Sequence, residues 1–181
     1  MDLELISLRP DSRDRRYFEA VNEEAFPPSE RMSFDSAFEL ALKADADVLG
    51  IYDGKKPVGF VILLKNSECA YLYYLAIDQT VRTKGYGGAV LHKLAEDYSD
   101  LQLILDFEEI DEAAPNYAQR IRRKRFYLRN GFCETGCYTK LSENRFEVVC
   151  NGGALRKDAF RELIHLLHAH RSEFPDELFE A

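Results

Sequence analysis

Apolar and polar positions change period several times along the chain, and each change marks an element. Residues 3–8 alternate, with Leu3 and Leu5 inward and Leu8 a further inward candidate at the end, which predicts a first strand. Pro10 and Asp11 close it. A helix follows over about 12–24, with Tyr17, Phe18, Val21 and Ala25 on one face. The prolines of 26-FPPSER-31 forbid its continuation. Ser33 is placed to cap a second helix carrying Phe34, Ala37, Phe38, Ala41 and Leu42. Residues 48–52 then read as a strand, Asp53-Gly54 as a hairpin turn, and residues 58–65 as the returning strand. A turn at 66–68 leads into 71-YLYYLAI-77, seven residues without a charge, which predicts a central strand covered on both faces.

The period then switches from two to 3.6. A glycine-rich turn opens a helix with Val90, Leu91, Leu94, Ala95 and Tyr98 on one side. The apolar run 101-LQLILDF-107 predicts a second buried strand, parallel to the central one through the helical crossover. A basic helix over 116–130 ends at Gly131, a suitable left-handed cap. Residues 132–141 and 145–150 read as a closing hairpin around Ser142, Glu143 and Asn144. Gly152-Gly153 breaks the chain before a last helix over 155–171, with Phe160, Leu163, Ile164 and Leu167 at helical spacing. This order predicts an α/β (α+β) fold, a mixed, mostly antiparallel central sheet flanked by helices. The main domain is expected at 1–151, with 152–181 a helical extension packed on it. The apolar stripe of the last helix packs on that domain or, as the alternative, makes a homodimer contact.

Composition narrows the function classes. With 181 residues and 46% hydrophobic residues the chain reads as one globular domain. The net charge of −8 argues against a nucleic-acid partner. No apolar run approaches the roughly 20 residues a membrane helix needs, and the N-terminus does not read as a signal peptide. A cytoplasmic location is the expectation. The four cysteines then read as reduced thiols. Cys133 and Cys137 lack a second pair at metal spacing, and His165 and His168 lack a partner acid, so no metal is expected.

The turn itself carries the chemistry. Arg82, Thr83, Lys84, Gly85, Tyr86, Gly87 and Gly88 follow the central strand directly. A glycine turn opening a helix presents free backbone N–H groups and the positive end of the helix dipole, which suits a phosphate. Arg82 and Lys84 add fixed charge beside it. The P-loop ending Lys-Ser/Thr and a full Gly-x-Gly-x-x-Gly are both absent, so a plain nucleotide binder fits less well. The spacing 82-RTKGYG-87 after LAID, together with 126-FYLRNGF-132, resembles the GCN5-related N-acetyltransferases (GNAT). The likeness covers most of Leu3 to Cys150.

That resemblance implies acetyl-CoA as co-substrate, with its pyrophosphate on the turn and its pantetheine against backbone groups of Leu75, Ala76 and Ile77. It implies direct transfer of an acetyl group in a ternary complex, to a small-molecule or peptide acceptor. Tyr127 stands where many family members place the tyrosine that protonates the departing thiolate. A phenol is protonated at neutral pH and can donate. For the base, Asp106 and Glu108 share one face of the strand end by alternation, and Glu109 takes the other. Acids beside apolar residues would raise one another's pKa. With Asp111 and Glu112 they would attract a cationic acceptor, hence a primary amine. The family often has an asparagine seven residues before the tyrosine and a small residue four before it; here stand Arg120 and Arg123. The run 119-QRIRRKR-125 could hold the coenzyme 3′-phosphate or be a solvated face pairing with local acids. The competing reading is a non-catalytic acyl-CoA-binding module of the same fold.

Overall fold

The computed structural model describes residues 1–141, 144–171 and 177–180, and of Thr83 only the backbone. Among the described residues the sheet is mixed and mostly antiparallel, with eight strands, and five helices flank it. The strands are β1 (Leu3–Ser7), β2 (Ala46–Asp53), β3 (Lys56–Lys65), β4 (Cys69–Ile77), β5 (Gln102–Glu108), β6 (Cys133–Leu141), β7 (Asn144–Cys150) and β8 (Leu178–Glu180). The helices are α1 (Arg15–Ala25), α2 (Phe34–Lys43), α3 (Tyr86–Asp97), α4 (Tyr117–Arg129) and α5 (Lys157–His170), and a 3₁₀ turn spans Gln79–Lys84. Strand order is β1-β2-β3-β4-β5-β7-β6-β8. The chain forms two compact units, 1–64 with 72–97 and 65–71 with 98–181, so β4 passes from one to the other after Tyr71.

In the first unit, β1 pairs antiparallel with β2, and β2 with β3. The β2–β3 register shifts at Ile51/Tyr52, a bulge just before the Asp53-Gly54 turn. Ser33 caps α2 as expected, its Oγ accepting from the Ser36 N–H at 3.1 Å. Phe18, Met32, Phe34, Ala37 and Leu40 bury the faces of α1 and α2, and Phe34 meets Phe60 of β3 edge-on at 5.1 Å. Leu42 corrects the expected face: it is 88% exposed, because α2 buries the stripe of Phe34, Ala37 and Leu40 and Leu42 lies off it. The 26-FPPSER-31 segment is pinned from three directions. The Asn22 side chain donates to the Met32 carbonyl at 2.8 Å, Tyr74 of β4 accepts from the Met32 N–H at 2.9 Å and donates to the Glu30 carbonyl, and Phe26 lies edge-on to Tyr74 at 4.8 Å.

In the second unit, β4 and β5 run parallel, Cys69 to Gln102, Ala70 to Leu103 and Tyr71 to Ile104. Leu75, Ala76 and Ile77 lie beyond those pairs. The other edge of β5 pairs antiparallel with β7 as far as Glu108. Thus β5 stays a regular strand up to its carboxylates. α5 is tied into this unit: Asn66 donates to the Ala159 carbonyl at 2.9 Å, the Arg156 N–H to Gln102 at 2.9 Å, and Phe160 stands edge-on to Tyr71 at 5.0 Å. Phe160 is fully buried, a contribution of about 2 kcal/mol. Strand β8 has no sequence signal. It pairs with β6 at Cys137–Thr139, and Arg145 lies over both Tyr138 and Phe179, at 4.5 and 5.2 Å. Ser142 and Glu143 of the expected hairpin turn lie outside the described residues.

Candidate functional site

The first unit holds the glycine turn. Asp78 starts it, its carboxylate accepting from the Thr80 N–H at 2.8 Å and the Thr80 hydroxyl at 2.7 Å. This cap turns the chain off β4 into the 3₁₀ segment. Gly85 ends that segment at φ +79°, left-handed backbone that a β-branched residue resists, and α3 begins at Tyr86. The first N–H groups of α3, as at any helix start, lack partners within the helix, and Gly85, Tyr86, Gly87 and Gly88 stand at that end. Arg82 and Lys84 are exposed beside it. Arg82 is also tethered: its Nε donates to the Ile77 carbonyl at 3.0 Å. Tyr86 is buried and donates to Asp53 at 2.6 Å, which locks the first helical residue to the β2–β3 turn. That bond holds the Asp53 carboxyl below its usual range.

Sequence patterning does not single out Gly59, yet it fixes where β4 lies. A Cβ at Gly59 would stand 2.2 Å from the Ala76 carbonyl oxygen and 3.0 Å from the Ile77 Cα. An isolated glycine inside a strand is the available signal for such a close approach. Tyr17 is a second unforeseen partner, donating to Asp78 at 2.7 Å; burial and that bond push its phenol pKa upward. An open depression of about 550 Å³ is lined there by Tyr17, Ala20, Glu23, Glu24, Asp78 and Thr80.

The second unit gathers Asp106, Glu108 and Tyr127, but treats the two acids differently. Asp106 accepts from the Tyr71 hydroxyl at 3.0 Å and the Thr139 hydroxyl at 2.6 Å. Both donors are neutral. Burial raises the Asp106 pKa, and the two hydroxyls only moderate the rise. The expected mutual effect of clustered acids is not the cause. Glu108 has neutralising partners instead: Arg120 Nη2 and Arg123 Nη1 each lie 3.0 Å from one of its oxygens. Asn116 donates to both oxygens at 3.3 Å. Glu108 is thus held by two ion pairs, whereas the partners of Asp106 are two neutral hydroxyls.

The other nearby acids are paired too. Glu109 meets Arg145 at 3.1 Å, and Glu147 meets Lys124 at 2.7 Å. The basic run of α4 is therefore largely a pairing face, the second of its two sequence readings. Arg120, Arg123 and Lys124 have acid partners, whereas Arg122, Arg125 and Arg129 are exposed.

Tyr127 is fixed by rings. It stacks on Phe107 at 5.4 Å and meets Phe126 at 5.2 Å and Phe132 at 6.1 Å. Burial, with Asp106 adding to it, raises its pKa against the pull of Arg123, so the phenol holds its proton well above neutral pH. Among the described residues, every fully buried side-chain N or O has a hydrogen-bond partner, and no hydrogen bond of the Tyr127 hydroxyl to protein is present. Three cysteines are buried, and burial pushes Cys69 and Cys150 up to about 11, which keeps them as thiols. Among the described residues, no group of three or more His, Cys, Asp or Glu is gathered as metal ligands, and no helix is long and apolar enough to cross a membrane.

Solved structures share this architecture. An acetyltransferase of the GNAT family from Bacteroides thetaiotaomicron matches with TM-score 0.72 at 22% identity, over 93% of this chain and 97% of that one. The aminoglycoside 6′-N-acetyltransferase of Enterococcus faecium matches with TM-score 0.62 at 12% identity, over 83% and 96%. A GNAT family acetyltransferase from Elizabethkingia anophelis, with acetyl-CoA bound, matches with TM-score 0.58 at 9% identity, over 84% and 99%. No curated protein sequence matches the chain. At these identities the structures speak for the fold alone. The sequence profile described as Acetyltransferase (GNAT) family, however, matches residues 12–132, more than half of the chain. That span holds the capped turn, the glycine-opened helix and Tyr127, and by it the chain belongs to the GNAT acetyltransferase family.

Proposed function

We propose that the protein transfers the acetyl group of acetyl-CoA to a primary amine, directly and within a ternary complex. The observation that carries this reading is the Tyr127 hydroxyl: held by three phenylalanines, protonated at neutral pH and unclaimed by the protein. In the reaction the amine nitrogen attacks the thioester carbonyl, the carbon–sulfur bond breaks, and Tyr127 gives its proton to the departing sulfur. Asp106 takes the proton released by the amine, directly or through water; its raised pKa brings it nearer the working range of a base. Glu108 keeps a supporting place beside it. The turn from Arg82 to Gly88 suits the pyrophosphate, and Leu75, Ala76 and Ile77 suit the pantetheine as backbone partners.

Direct transfer draws support from Cys69 and Cys150, since buried thiols held at about 11 are poor acyl carriers at neutral pH; Cys133 is exposed. The amine reading draws support from the first unit. Glu23, Glu24 and Asp78 line one open depression with no lysine or arginine among its lining residues. The paired acids of the second unit, by contrast, give a cation little attraction. The test is Tyr127→Phe, assayed with acetyl-CoA against a panel of amines and hydroxyl acceptors. The expected result is a loss of about 100-fold or more in kcat with acetyl-CoA affinity unchanged. Unchanged turnover would remove Tyr127 from the acid role. Binding of acetyl-CoA with no turnover of any acceptor by the wild-type protein would favour the non-catalytic module.

A further inference from the structure

Helix α4 buries none of its residues. Most helices are oriented by an apolar stripe. This one is oriented by the rings around Tyr127 and by charge. Glu108 holds Arg120 and Arg123 at 3.0 Å each. Arg120 also donates to the Asn116 side chain at 2.8 Å and to the Glu109 carbonyl at 2.7 Å, so the helix start is tied to the end of β5. Arg123 has no such further tie; Glu108 is its acid. Arg123 stands four residues before Tyr127, one turn away on the same helix face.

We propose that Arg123, oriented by Glu108, is a positioning residue for Tyr127, and that it compensates the negative charge the phenol acquires when its proton leaves. The proposal rests on Tyr127 being the acid. In the step it concerns, the proton moves from Tyr127 Oη to the coenzyme sulfur and leaves a phenolate. The charged groups that act on that phenolate are Arg123 from its own helix and Asp106 from β5; the rings against it, Phe107, Phe126 and Phe132, are uncharged. Burial opposes the phenolate and Arg123 favours it; Asp106, which opposes it while ionised, has by then taken the amine's proton. A half-buried phenolate is stabilised by a nearby cation, and a free arginine side chain would swing to solvent. Glu108 supplies the restraint. The arginine that stands where a small residue is usual thus has a role in the chemistry and is more than a solvated charge.

The test places 3-fluorotyrosine at position 127, in the full chain, and follows its ionisation by fluorine NMR. The fluorinated phenol ionises lower than tyrosine, which brings the transition into reach. Arg123→Met is expected to raise the midpoint, and in the unlabelled enzyme to lower kcat about 10-fold with the KM for acetyl-CoA unchanged. Arg123→Lys is expected to restore most of both. Glu108→Gln is expected to lower kcat severalfold in the wild-type background and to cost nothing further in Arg123→Met, because it acts through that arginine. A midpoint unmoved or lowered in Arg123→Met overturns the proposal, as does a Glu108→Gln effect of equal size in both backgrounds. Should Arg123→Met fail to fold, Glu108→Gln decides it on the same midpoint, which is expected to shift upward while Arg123→Lys leaves it near the wild-type value; a midpoint unmoved in Glu108→Gln then overturns the proposal. Failure of the parent reading looks different: Tyr127→Phe would turn over at the wild-type rate while the midpoint shifts remained.

Discussion

The glycine turn and the acid cluster do their work with different parts of the chain. In the first unit the proposed functional groups are backbone N–H groups, placed by Asp78 at one end and Gly85 at the other. In the second unit they are side chains, and each is defined by its partners: Asp106 by two hydroxyls, Glu108 by two guanidiniums, Tyr127 by three rings. Backbone geometry is set by local sequence, because only certain residues adopt the needed dihedrals. The ionisation of a side chain is set by residues far away in sequence. A substitution should therefore act through backbone position in the first unit and through proton affinity in the second.

The largest expected effect tests the second half of that contrast. Asp106→Asn removes the proposed base, and kcat should fall by about 100-fold or more. Stability should move the other way. The folded-state pKa of Asp106 is raised above its unfolded value, so its contribution is fully present at low pH and is lost as pH rises through the folded value. At neutral pH the ionised side chain is a burden that asparagine lacks, and the Tyr71 and Thr139 hydroxyls can rotate to suit an amide. Thermal unfolding near pH 7 should show Asp106→Asn with the higher Tm. The gain should shrink as pH is lowered. An inactive variant with no gain in stability would mean that Asp106 is held ionised by something other than its two hydroxyls.

Gly59→Ala tests the first half. The new methyl would meet the Ala76 carbonyl at 2.2 Å, a backbone atom that cannot turn aside. β4 would have to shift at Ala76 and Ile77, the residues proposed to meet the pantetheine. Overpacking of this kind costs about 1–3 kcal/mol. A displacement at the reacting end costs about 100-fold in kcat/KM. The loss should appear as weaker acetyl-CoA binding, measured by calorimetry, with the pH profile of kcat unchanged. A changed pH profile would blur the division between the two units.

The same contrast explains what the sequence could reveal. The Ser33 cap, the left-handed Gly85 and Gly131 and the strand–turn–helix order are local rules, and the chain obeys them. The architecture was legible for that reason. The partners were not. Tyr71 and Thr139 lie 35 and 33 residues from Asp106, and both sit on strands where their side chains read as ordinary alternation. Nothing in a strand end reading Asp-Phe-Glu says that one acid meets hydroxyls and the other meets arginines. β8 escaped notice because three residues carry no period, and its place depends on Tyr138 and Arg145. The basic run of α4 could be read two ways until Glu108, Glu134 and Glu147 were seen against it.

The smallest expected effect separates the two cations of the turn. Lys84 is exposed and acts on a bound pyrophosphate as a point charge, which salt screens. Arg82 is exposed as well, but its Nε is bonded to the Ile77 carbonyl, so it also holds the end of β4. Lys84→Met should weaken acetyl-CoA binding by about 2–5-fold at low salt, and by less as salt is raised, because an exposed pair contributes under about 1 kcal/mol. Arg82→Met should weaken it by more, and part of the loss should persist at high salt, because a hydrogen bond to a backbone carbonyl is not screened as a surface charge is. Acetyl-CoA titrations of both variants across sodium chloride concentration read this directly. Parallel salt curves would make Arg82 a second Lys84, and the end of β4 would then be held by Gly59 and the Asp78 cap without it. Diverging curves would show that even the charged residues of this unit act partly by fixing backbone, which is where the two halves of the molecule differ most.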